Sequence, residues 1–384
     1  IERIAMTLDK LELRSDEWLN DPPGYVHRHG WPGPVRQAPW GDLIVGSREL
    51  ISSLGKAPWR ACSIEYLSFG EIVSGPAWEI AQRISSFADE DRHRELRGPV
   101  EAPFTKGPIR ELGDTVRTIA REIVGELAPG DDLGDAAQRF AGLVFQQVLG
   151  LRDLEVLVAE ARNFAKIWTF ESVSHRDELE AACVRLSEMA DEVLKAPSTP
   201  LATGIATAEL SDAERVALIV QMLVAGWETT AAQSAILGWQ MCGPTPERDR
   251  WWAGEWDDDQ VVEEVLRYRS SPGAFVRVAS EPTEIAGHPV AEGDRALALL
   301  WAGNMDPDVY TDATTFDPSR WPDATPHLSF GVGQHKCLGL HLARLELAEW
   351  AKALRERRVT VDRSQDWPES YPLRPGPLPV VGIG

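Results

Sequence analysis

Hydrophobic and polar residues follow a helical pattern over most of the chain, with short strand-like stretches near the N-terminus and in the last third. From about Ile80 to Leu194, acidic and apolar segments alternate with the spacing of amphipathic helices. Strand-like runs occur at DLIVG, FVRVAS, TEIAGHPV and RALALLWAG. Their order lacks the regular strand–helix alternation of a doubly wound fold. The pattern therefore predicts a mainly α protein with small β-sheets, in the α+β class.

The longest predicted helix is apolar on all sides. It begins with a capping box, because the Ser211 hydroxyl can accept an N–H of the first turn and Glu214 can reach back. Gly and Pro at 243–244 end it. The roughly 30 residues between these signals span about 45 Å, which predicts a buried helix through the middle of the protein. Glu228 and Thr229 lie at its centre, where buried polar groups are costly unless they have a purpose.

A glycine-rich loop with one cysteine precedes the last predicted helix, Leu338 to Leu354. A cysteine at the start of a helix is favoured as thiolate by the helix dipole, and Gly339 leaves room for a large, flat partner. Cys337 can therefore be a nucleophile with His335 as its base, a metal ligand, or a buried and inert residue. GVGQHK is not a dinucleotide fingerprint, because Lys336 replaces its third glycine.

Composition and charge narrow the classes of function. The 384 residues are 43% hydrophobic and contain no long polar linker, which predicts one domain over residues 1–384. A net charge of −21 argues against binding to nucleic acid or anionic lipid. Without a signal-like N-terminus or a long apolar run, we expect a cytoplasmic protein with no membrane span. The four cysteines fit neither a disulfide framework nor a CxxC-type metal site.

Five motifs follow one another along the chain: HRELR (93–97), AGWETT (225–230), EVLR (264–267), FDPSRW with Arg320, and FGVGQHKCLG (330–339). The last resembles the cysteine-loop signature of the cytochrome P450 family, the haem-thiolate monooxygenases. AGWETT is similar to the oxygen-activating motif of that family, and EVLR and FDPSRW are similar to its Glu-x-x-Arg pair and matching arginine. HRELR resembles a segment that holds a haem propionate. The resemblance implies the cytochrome P450 fold, with haem between the long central helix and the cysteine-loop helix.

The resemblance further implies which residues bind haem b, iron protoporphyrin IX. Cys337 would be the metal ligand, an axial thiolate that favours cleavage of the O–O bond. Arginine pairs with carboxylates in a bidentate way, and the residues implied for the propionates are His93, Arg97, Arg277 and His335. The other residues implied at the cofactor are Gly226, which would leave space for dioxygen, Phe330 and Gly339.

Thr229 and Glu228 would carry protons for the activation of dioxygen. Thr229 would hydrogen-bond the oxygen and hold a water, and Glu228 would relay protons from solvent. In the alternative, Thr229 only donates to the carbonyl four residues earlier and bends the helix. Glu264, Arg267 and Arg320 would form a buried ion network behind the haem, whereas the alternative for EEVLR alone is an exposed helical charge pair.

Electrons would come from a separate carrier of the ferredoxin or flavodoxin type, with NAD(P)H used only indirectly, because the chain has no flavin or iron–sulfur motif. Residues 336–358 contain six Lys or Arg against three Glu. This basic island next to Cys337 would suit docking of an acidic carrier. In the alternative, the cations only stabilise the end of a solvated helix.

The segments that the resemblance places around the substrate are rich in aromatic residues: Trp59, Tyr66, Phe69, Trp78, Phe164, Trp168, Phe170 and Phe275. They predict an apolar or aromatic natural-product intermediate, unless they belong to the core. The predicted reaction inserts one oxygen atom from O2 into this small molecule, in secondary metabolism. The alternatives are oxidative coupling or cyclisation of an aromatic or peptide substrate, a haem sensor without turnover, and a hydrolase that uses Cys337 and His335.

Overall fold

The structure is a computed structural model, which describes residues 25, 33–37, 42–61, 72–151, 154–165, 167, 175–368 and 372–384. The helices of this part are α1 (Arg48–Ser53), α2 (Pro76–Ala81), α3 (Glu90–Glu101), α4 (Lys106–Glu111), α5 (Gly113–Glu126), α6 (Leu133–Leu149), α7 (Leu154–Ala165), α8 (Arg176–Lys195), α9 (Pro200–Ala206), α10 (Asp212–Cys242), α11 (Pro246–Trp252), α12 (Asp258–Tyr268), α13 (Leu300–Asn304) and α14 (Leu340–Glu356). The strands are β1 (Val35–Gln37), β2 (Leu43–Val45), β3 (Trp59–Ala61), β4 (Ala274–Ala279), β5 (Thr283–Ile285), β6 (His288–Val290), β7 (Arg295–Leu299), β8 (Thr360–Val361) and β9 (Val380–Gly382). The prediction of a mainly α chain with small sheets is confirmed.

The long helix α10 lies in the centre of the helical layer and packs on α6, α7, α8 and α14. Its predicted start is confirmed, because the Ser211 hydroxyl accepts the Glu214 N–H and the Glu214 carboxylate accepts the Ser211 N–H at 2.7 Å. Its predicted end is also confirmed, since the helix stops at Cys242. The indole N–H of Trp227 donates to a carbonyl of α6 and that of Trp350 in α14 to a carbonyl of α10, which locks the three helices together.

The main sheet has the strand order β1-β2-β7-β4-β3. Strands β2 and β7 are parallel, and the other neighbours are antiparallel. The predicted strand RALALLWAG is only half right, because the strand ends at Leu299 and the helix α13 begins at Leu300. Both β7 and α13 are largely buried, so apolar residues continue from one into the other. The hydrophobic pattern therefore does not mark where the strand ends and the helix begins.

A single cluster of buried apolar side chains runs through the helical layer, from Ile72 to Val380. A second, smaller cluster lies under the main sheet, around Val45, Ile51 and Leu328. Among the described residues, none of the helices combines the length and apolar character needed to cross a membrane. The two clusters meet the loop before α14 from both sides, since Phe330 packs on the first and Val332 on the second.

Candidate active site

A cavity of about 390 Å³ opens between α3, α10, β4 and the loop that precedes α14. We call residues 330–339 the cysteine loop. The cavity is bounded by Thr229 on the long helix and by Cys337 on the cysteine loop. The other predicted site residues on its wall are His93, Arg97, Gly226, Arg277, Phe330, His335 and Gly339.

The side chain of Cys337 faces this cavity and is accessible there, although the surrounding protein removes most of the water from the sulfur. Burial raises the pKa of the Cys337 thiol, opposed by the Gly339 N–H and by the charges of Arg97 and Arg344. The expected stabilisation of the thiolate at a helix start is therefore outweighed by desolvation. One reason is that α14 begins only at Leu340, so the sulfur lies before its first turn.

Backbone contacts fix the shape of the cysteine loop. The Cys337 N–H donates to the Phe330 carbonyl at 2.8 Å, which closes the loop on itself. Gly333 has a left-handed φ of +67°, and a Cβ on it would lie 2.0 Å from the carbonyl oxygen of Gly55. Gly333 therefore allows the cysteine loop to approach the segment after α1 closely. A side chain at position 333 would push the loop away from that segment.

Two arginines and two histidines form a cationic rim around the cavity. The Nη2 atom of Arg97 donates to the Lys336 carbonyl at 2.7 Å, and the His335 ring contacts the Asp89 carboxylate at 2.9 Å. Burial lowers the pKa of His93 to about 4, and the neighbouring His335 and Arg97 add to this. His93 is therefore neutral at pH 7, and Arg97 and Arg277 supply positive charge to the rim.

Arg277 completes this rim from the sheet. It lies on β4 and is 8% exposed, with its guanidinium 4.5 Å from the centroid of the Phe275 ring. Its Nη1 atom donates to its neighbouring carbonyl, that of Val276, at 3.0 Å. A guanidinium is the group whose fork of N–H donors matches the geometry of a carboxylate, and it also stacks on an aromatic face.

Thr229 and Glu228 are adjacent in sequence but face different cavities. The Thr229 hydroxyl donates to the Ala225 carbonyl at 2.8 Å, which is the geometry of the alternative in which the threonine only bonds back to its own helix. Thr229 nevertheless lines the cavity of Cys337. Glu228 lines a second cavity of about 270 Å³ on the other side of α10. Its Oε1 atom accepts from Arg374 at 3.0 Å, while Oε2 is buried without a hydrogen-bond partner among the described residues.

The carboxyl of Glu228 ionises less readily than an ordinary glutamate carboxyl. Burial raises the pKa of Glu228, and the positive charges of Arg374 and Arg162 offset this only in part. The second cavity also contains Asp132 and Asp135, so it is lined by carboxylates as well as arginines. A carboxyl with a raised pKa next to a polar cavity is suited to take up and release a proton.

A glycine is needed at position 226 for a different reason from the expected one. A Cβ at this position would lie 2.0 Å from the Phe145 ring, where the helices α6 and α10 cross. The glycine therefore allows close packing of the two helices, and the Phe145 ring, not empty space, occupies the direction of its missing side chain. Its backbone still contributes to the cavity wall.

Glu264, Arg267 and Arg320 form the predicted ion network. Arg267 and Glu264 are fully buried and paired through two hydrogen bonds of 2.7 and 2.9 Å. Arg320 donates to the same carboxylate at 3.2 Å, and the Trp321 indole N–H at 3.0 Å. The exposed-pair alternative for this motif is wrong, because no part of either side chain of the Glu264–Arg267 pair reaches solvent.

This network also supports the cysteine loop through Asn304. Arg267 donates to the Asn304 carbonyl at 2.9 Å. The Asn304 side chain in turn accepts the Leu328 N–H at 2.6 Å and donates to the Ser329 hydroxyl at 2.9 Å. The buried ion pair therefore holds the two residues that lead directly into the loop carrying Cys337.

Glu346 is a buried acid at the site that the sequence interpretation missed. It lies on α14, is 1% exposed and lines the cavity of Cys337. Burial raises the pKa of Glu346 well above its ordinary value of 4.5, offset in part by a hydrogen bond with Thr230. A signal was present, since Glu346 follows Leu342 by four residues and so falls on the apolar face of the predicted helix.

We expect Glu346→Gln to change how stability depends on pH. The raised pKa means that the folded protein holds this proton more tightly than the unfolded chain, so the contribution to stability is complete below about pH 4.5 and is lost as the pH rises toward the raised pKa. Glutamine is neutral throughout. The variant should gain up to about 1.4 kcal/mol per pH unit relative to the wild type as the pH rises from about 5. Urea unfolding at several pH values measures this, and parallel curves would contradict it.

The aromatic residues predicted around the substrate divide into three groups. Phe275 lines the cavity, whereas Trp59 and Phe164 are buried in the cores and Trp78 packs against the helical core. The others, Tyr66, Phe69, Trp168 and Phe170, lie outside the described residues. In their place, the wall contains polar side chains that the sequence interpretation did not predict: Ser85, Ser86, Gln221, Gln233, Ser270 and Ser271.

Comparisons with known proteins decide the family. The family model described as Cytochrome P450 matches residues 259–372. Nocardicin C N-oxygenase of Nocardia uniformis subsp. tsuyamanensis is 30% identical over 312 residues, which cover 76% of this chain and 75% of that protein. Luteothin monooxygenase of Streptomyces thioluteus is 31% identical over 337 residues, 82% of this chain and 77% of that protein. The chain belongs to the cytochrome P450 family.

Solved structures agree with this P450 fold. P450BioI, solved in complex with an acyl carrier protein bearing hexadec-9Z-enoic acid, has a TM-score of 0.84 and 22% identity, covering 96% of this chain and 99% of that one. The enzyme class follows from the family, so this P450 is an oxidoreductase related to monooxygenases of natural-product biosynthesis. The hydrolase alternative for Cys337 and His335 is thereby removed.

The residues of the cavity fit the haem that the family implies. A single sulfur ligand is the protein donor of haem-thiolate proteins, and Cys337 presents one to the cavity. The two propionates of haem need cationic or hydrogen-bonding partners, and Arg97 and Arg277 lie on the rim. Phe104, Leu342 and other apolar side chains supply walls for a flat macrocycle.

Proposed function

We propose that this P450 inserts one oxygen atom of O2 into a small natural-product intermediate. The observation that carries the proposal is that Thr229 and Cys337, from two different elements, line one cavity. The relatives named above are oxygenases of natural products, which supports the substrate class. Ser85, Ser86 and Gln221 add hydrogen-bonding groups to a wall that also contains Phe145 and Met222, which favours an apolar or aromatic substrate that carries polar groups.

Four rim residues and the cysteine would hold the haem. Cys337 would bind the iron, and Arg97, Arg277, His93 and His335 would contact the propionates. Bound haem supplies the reductive activation of dioxygen. The neutral state of His93 favours a hydrogen bond to a propionate over an ion pair, and Arg97 would provide the opposite charge.

Protons would reach the cavity through α10. Glu228 would take them from the second cavity, where Arg374 holds one carboxylate oxygen and the other has no partner among the described residues. The Thr229 hydroxyl donates its own hydrogen to the Ala225 carbonyl, so its oxygen lone pairs are available to a water in the Cys337 cavity. A proton would therefore pass around the helix by way of water to the hydroxyl of Thr229.

Isotope labelling tests the oxygen insertion. Holoenzyme, NADH, a surrogate ferredoxin and its reductase are incubated under ¹⁸O2 with a panel of polyketide and peptide compounds chosen by their shift of the haem spin state. The proposal predicts a product that carries one ¹⁸O atom. A product that has lost two hydrogens and contains no ¹⁸O would contradict it and establish oxidative coupling or cyclisation instead.

The electron carrier would dock beside the cysteine loop. The predicted basic island is partly neutralised, because Arg344 and Arg355 pair with Glu263 and Asp258 of α12. Lys336 remains exposed on the cysteine loop. Burial and the charges of Lys106, Arg344 and Lys336 lower the pKa of His341, so each of these cations acts on the start of α14. An acidic ferredoxin or flavodoxin would complement this surface.

Charge reversal at Lys336 is expected to slow reduction by the carrier. Lys336→Glu should lower the rate of reduction by a surrogate ferredoxin about three- to tenfold at low salt, because an attractive contact becomes repulsive. The difference should shrink above about 0.5 M salt, where the charges are screened. Reduction by dithionite, which needs no docking, should not change. Arg139→Glu makes the same charge change on α6 and is the control; equal slowing in both variants would contradict this docking site.

A further inference from the structure

The serine hydroxyls on the wall of the Cys337 cavity differ in whether their hydrogen is already used. The hydroxyls of Ser270, Ser271 and Ser329 donate to backbone carbonyls, at 2.9, 3.2 and 2.6 Å. The Ser85 hydroxyl donates to the Gln221 side chain at 3.1 Å. Ser86 lines the same cavity, and in the part of the chain that the structure describes its hydroxyl hydrogen meets no acceptor.

The orientation of the Gln221 amide explains why Ser86 is different. The Ser85 backbone N–H donates to Oε1 of Gln221 at 2.9 Å, which fixes the oxygen on that side. The amide nitrogen therefore points at Ser86 and donates to its Oγ atom at 2.7 Å. Because an amide nitrogen can only donate, Ser86 must accept, and its own hydrogen stays available. Gln221 is itself buried on α10, so this arrangement is held by packing as well as by hydrogen bonds.

We propose that Ser86 donates a hydrogen bond to an acceptor oxygen of the substrate, with Gln221 as the positioning residue. This inference rests on the proposed function, since it names the substrate class of the same site. It assigns the substrate a carbonyl oxygen of a ketone, ester or amide. A donor left unpaired where a bound molecule displaces water is unfavourable, so the enzyme would discriminate against an analogue that lacks the acceptor.

Paired azole probes test the proposal, because the azole nitrogen binds haem iron and so brings each probe into the cavity. The probes are 1-phenylimidazoles that carry either an acetyl group or the isosteric isopropenyl group at the ortho, meta or para position. Binding to the holoenzyme is followed by the Soret shift. We expect one acetyl isomer to bind about five- to tenfold more tightly than its isopropenyl partner, the size of one neutral hydrogen bond.

Substitutions separate Ser86 from the rest of the wall. Ser86→Ala should abolish the acetyl preference, and Ser86→Thr, which keeps a hydroxyl, should retain it. Ser270→Ala should also retain it, because that hydroxyl already donates to the Pro272 carbonyl. Gln221→Met should weaken the preference, since Ser86 keeps its hydroxyl but loses the partner that orients it.

The outcomes distinguish this inference from the proposed function. Loss of the preference in Ser86→Ala alone supports the inference. If no isomer shows a preference, or if Ser86→Ala keeps it, the inference is overturned while the Soret shifts still support haem in this cavity. If no azole moves the Soret band of the wild type, the haem assignment and the inference fail together.

Discussion

Arg267→Ala is expected to lower the free energy of unfolding by about 3–5 kcal/mol, the range for breaking a fully buried ion pair by removing one partner. The pair has two hydrogen bonds of 2.7 and 2.9 Å, and neither side chain has any exposed area. Alanine would remove the nearer of the two arginines that pair with Glu264 and leave only Arg320, at 3.2 Å, beside this buried carboxylate. The carbonyls of Asn304 and Ala313, which accept from Arg267 at 2.9 and 2.8 Å, would lose their donor too.

The consequence for the site is loss of haem retention, because Asn304 holds the residues that lead into the cysteine loop. Urea unfolding and haem content measure the two effects. Arg121→Ala is the matched control, since it removes an arginine from an ion pair with Glu356 in which both partners are about half exposed. Exposed pairs contribute about 0–1 kcal/mol. A loss in Arg267→Ala no larger than in the control would contradict the role of the network.

Glu228→Gln is expected to lower the rate of substrate oxidation about 100-fold, the scale of general acid–base catalysis. Glutamine keeps the shape and the contact with Arg374 but cannot take up and release a proton. The rate should become more sensitive to replacement of water by D2O, because proton supply then limits turnover. Glu228→Asp, which keeps a carboxyl, should recover part of the rate.

Thr229→Ala should change the share of NADH electrons that end in hydrogen peroxide more than it changes the rate of turnover. Without the hydroxyl, the variant would lose the group proposed to hold a water in the Cys337 cavity, and a larger share of the electrons from NADH should appear as hydrogen peroxide. Thr229→Ser should restore the wild-type share. The ratio of peroxide formed to NADH consumed measures this. An unchanged ratio in Thr229→Ala would leave the threonine with only its helix-bending bond to Ala225.

Local signals in the sequence were sufficient for the elements that build the site. The capping box at Ser211 and the stop after Cys242 define the long helix, because each depends on only a few neighbouring residues. The Glu264–Arg267 spacing predicts one contact along a helix, whereas Arg320 was predicted only by the resemblance of FDPSRW, and the structure brings it to the same carboxylate. Such features are readable because the interacting groups are separated by one or two turns of helix.

Features that depend on distant segments could not be read in the same way. Ser85 and Gln221 are 136 positions apart, so no local pattern joins them. The helical rotation of about 100° per residue places Glu228 and Thr229 on different faces of α10, which their adjacency in sequence conceals. The number of aromatic residues does not tell which of them face the cavity and which lie in the core. Trp59 and Phe164 proved to belong to the cores.

The central claim is that Cys337 ligates haem as a thiolate, and one spectrum tests it most directly. Haem-loaded wild type and Cys337→Ala are reduced with dithionite under carbon monoxide, and the Soret band of each is recorded. The account predicts a strongly red-shifted band in the wild type only. The same band in both proteins, or a wild type that shows no Soret band after reconstitution with haem, would contradict it.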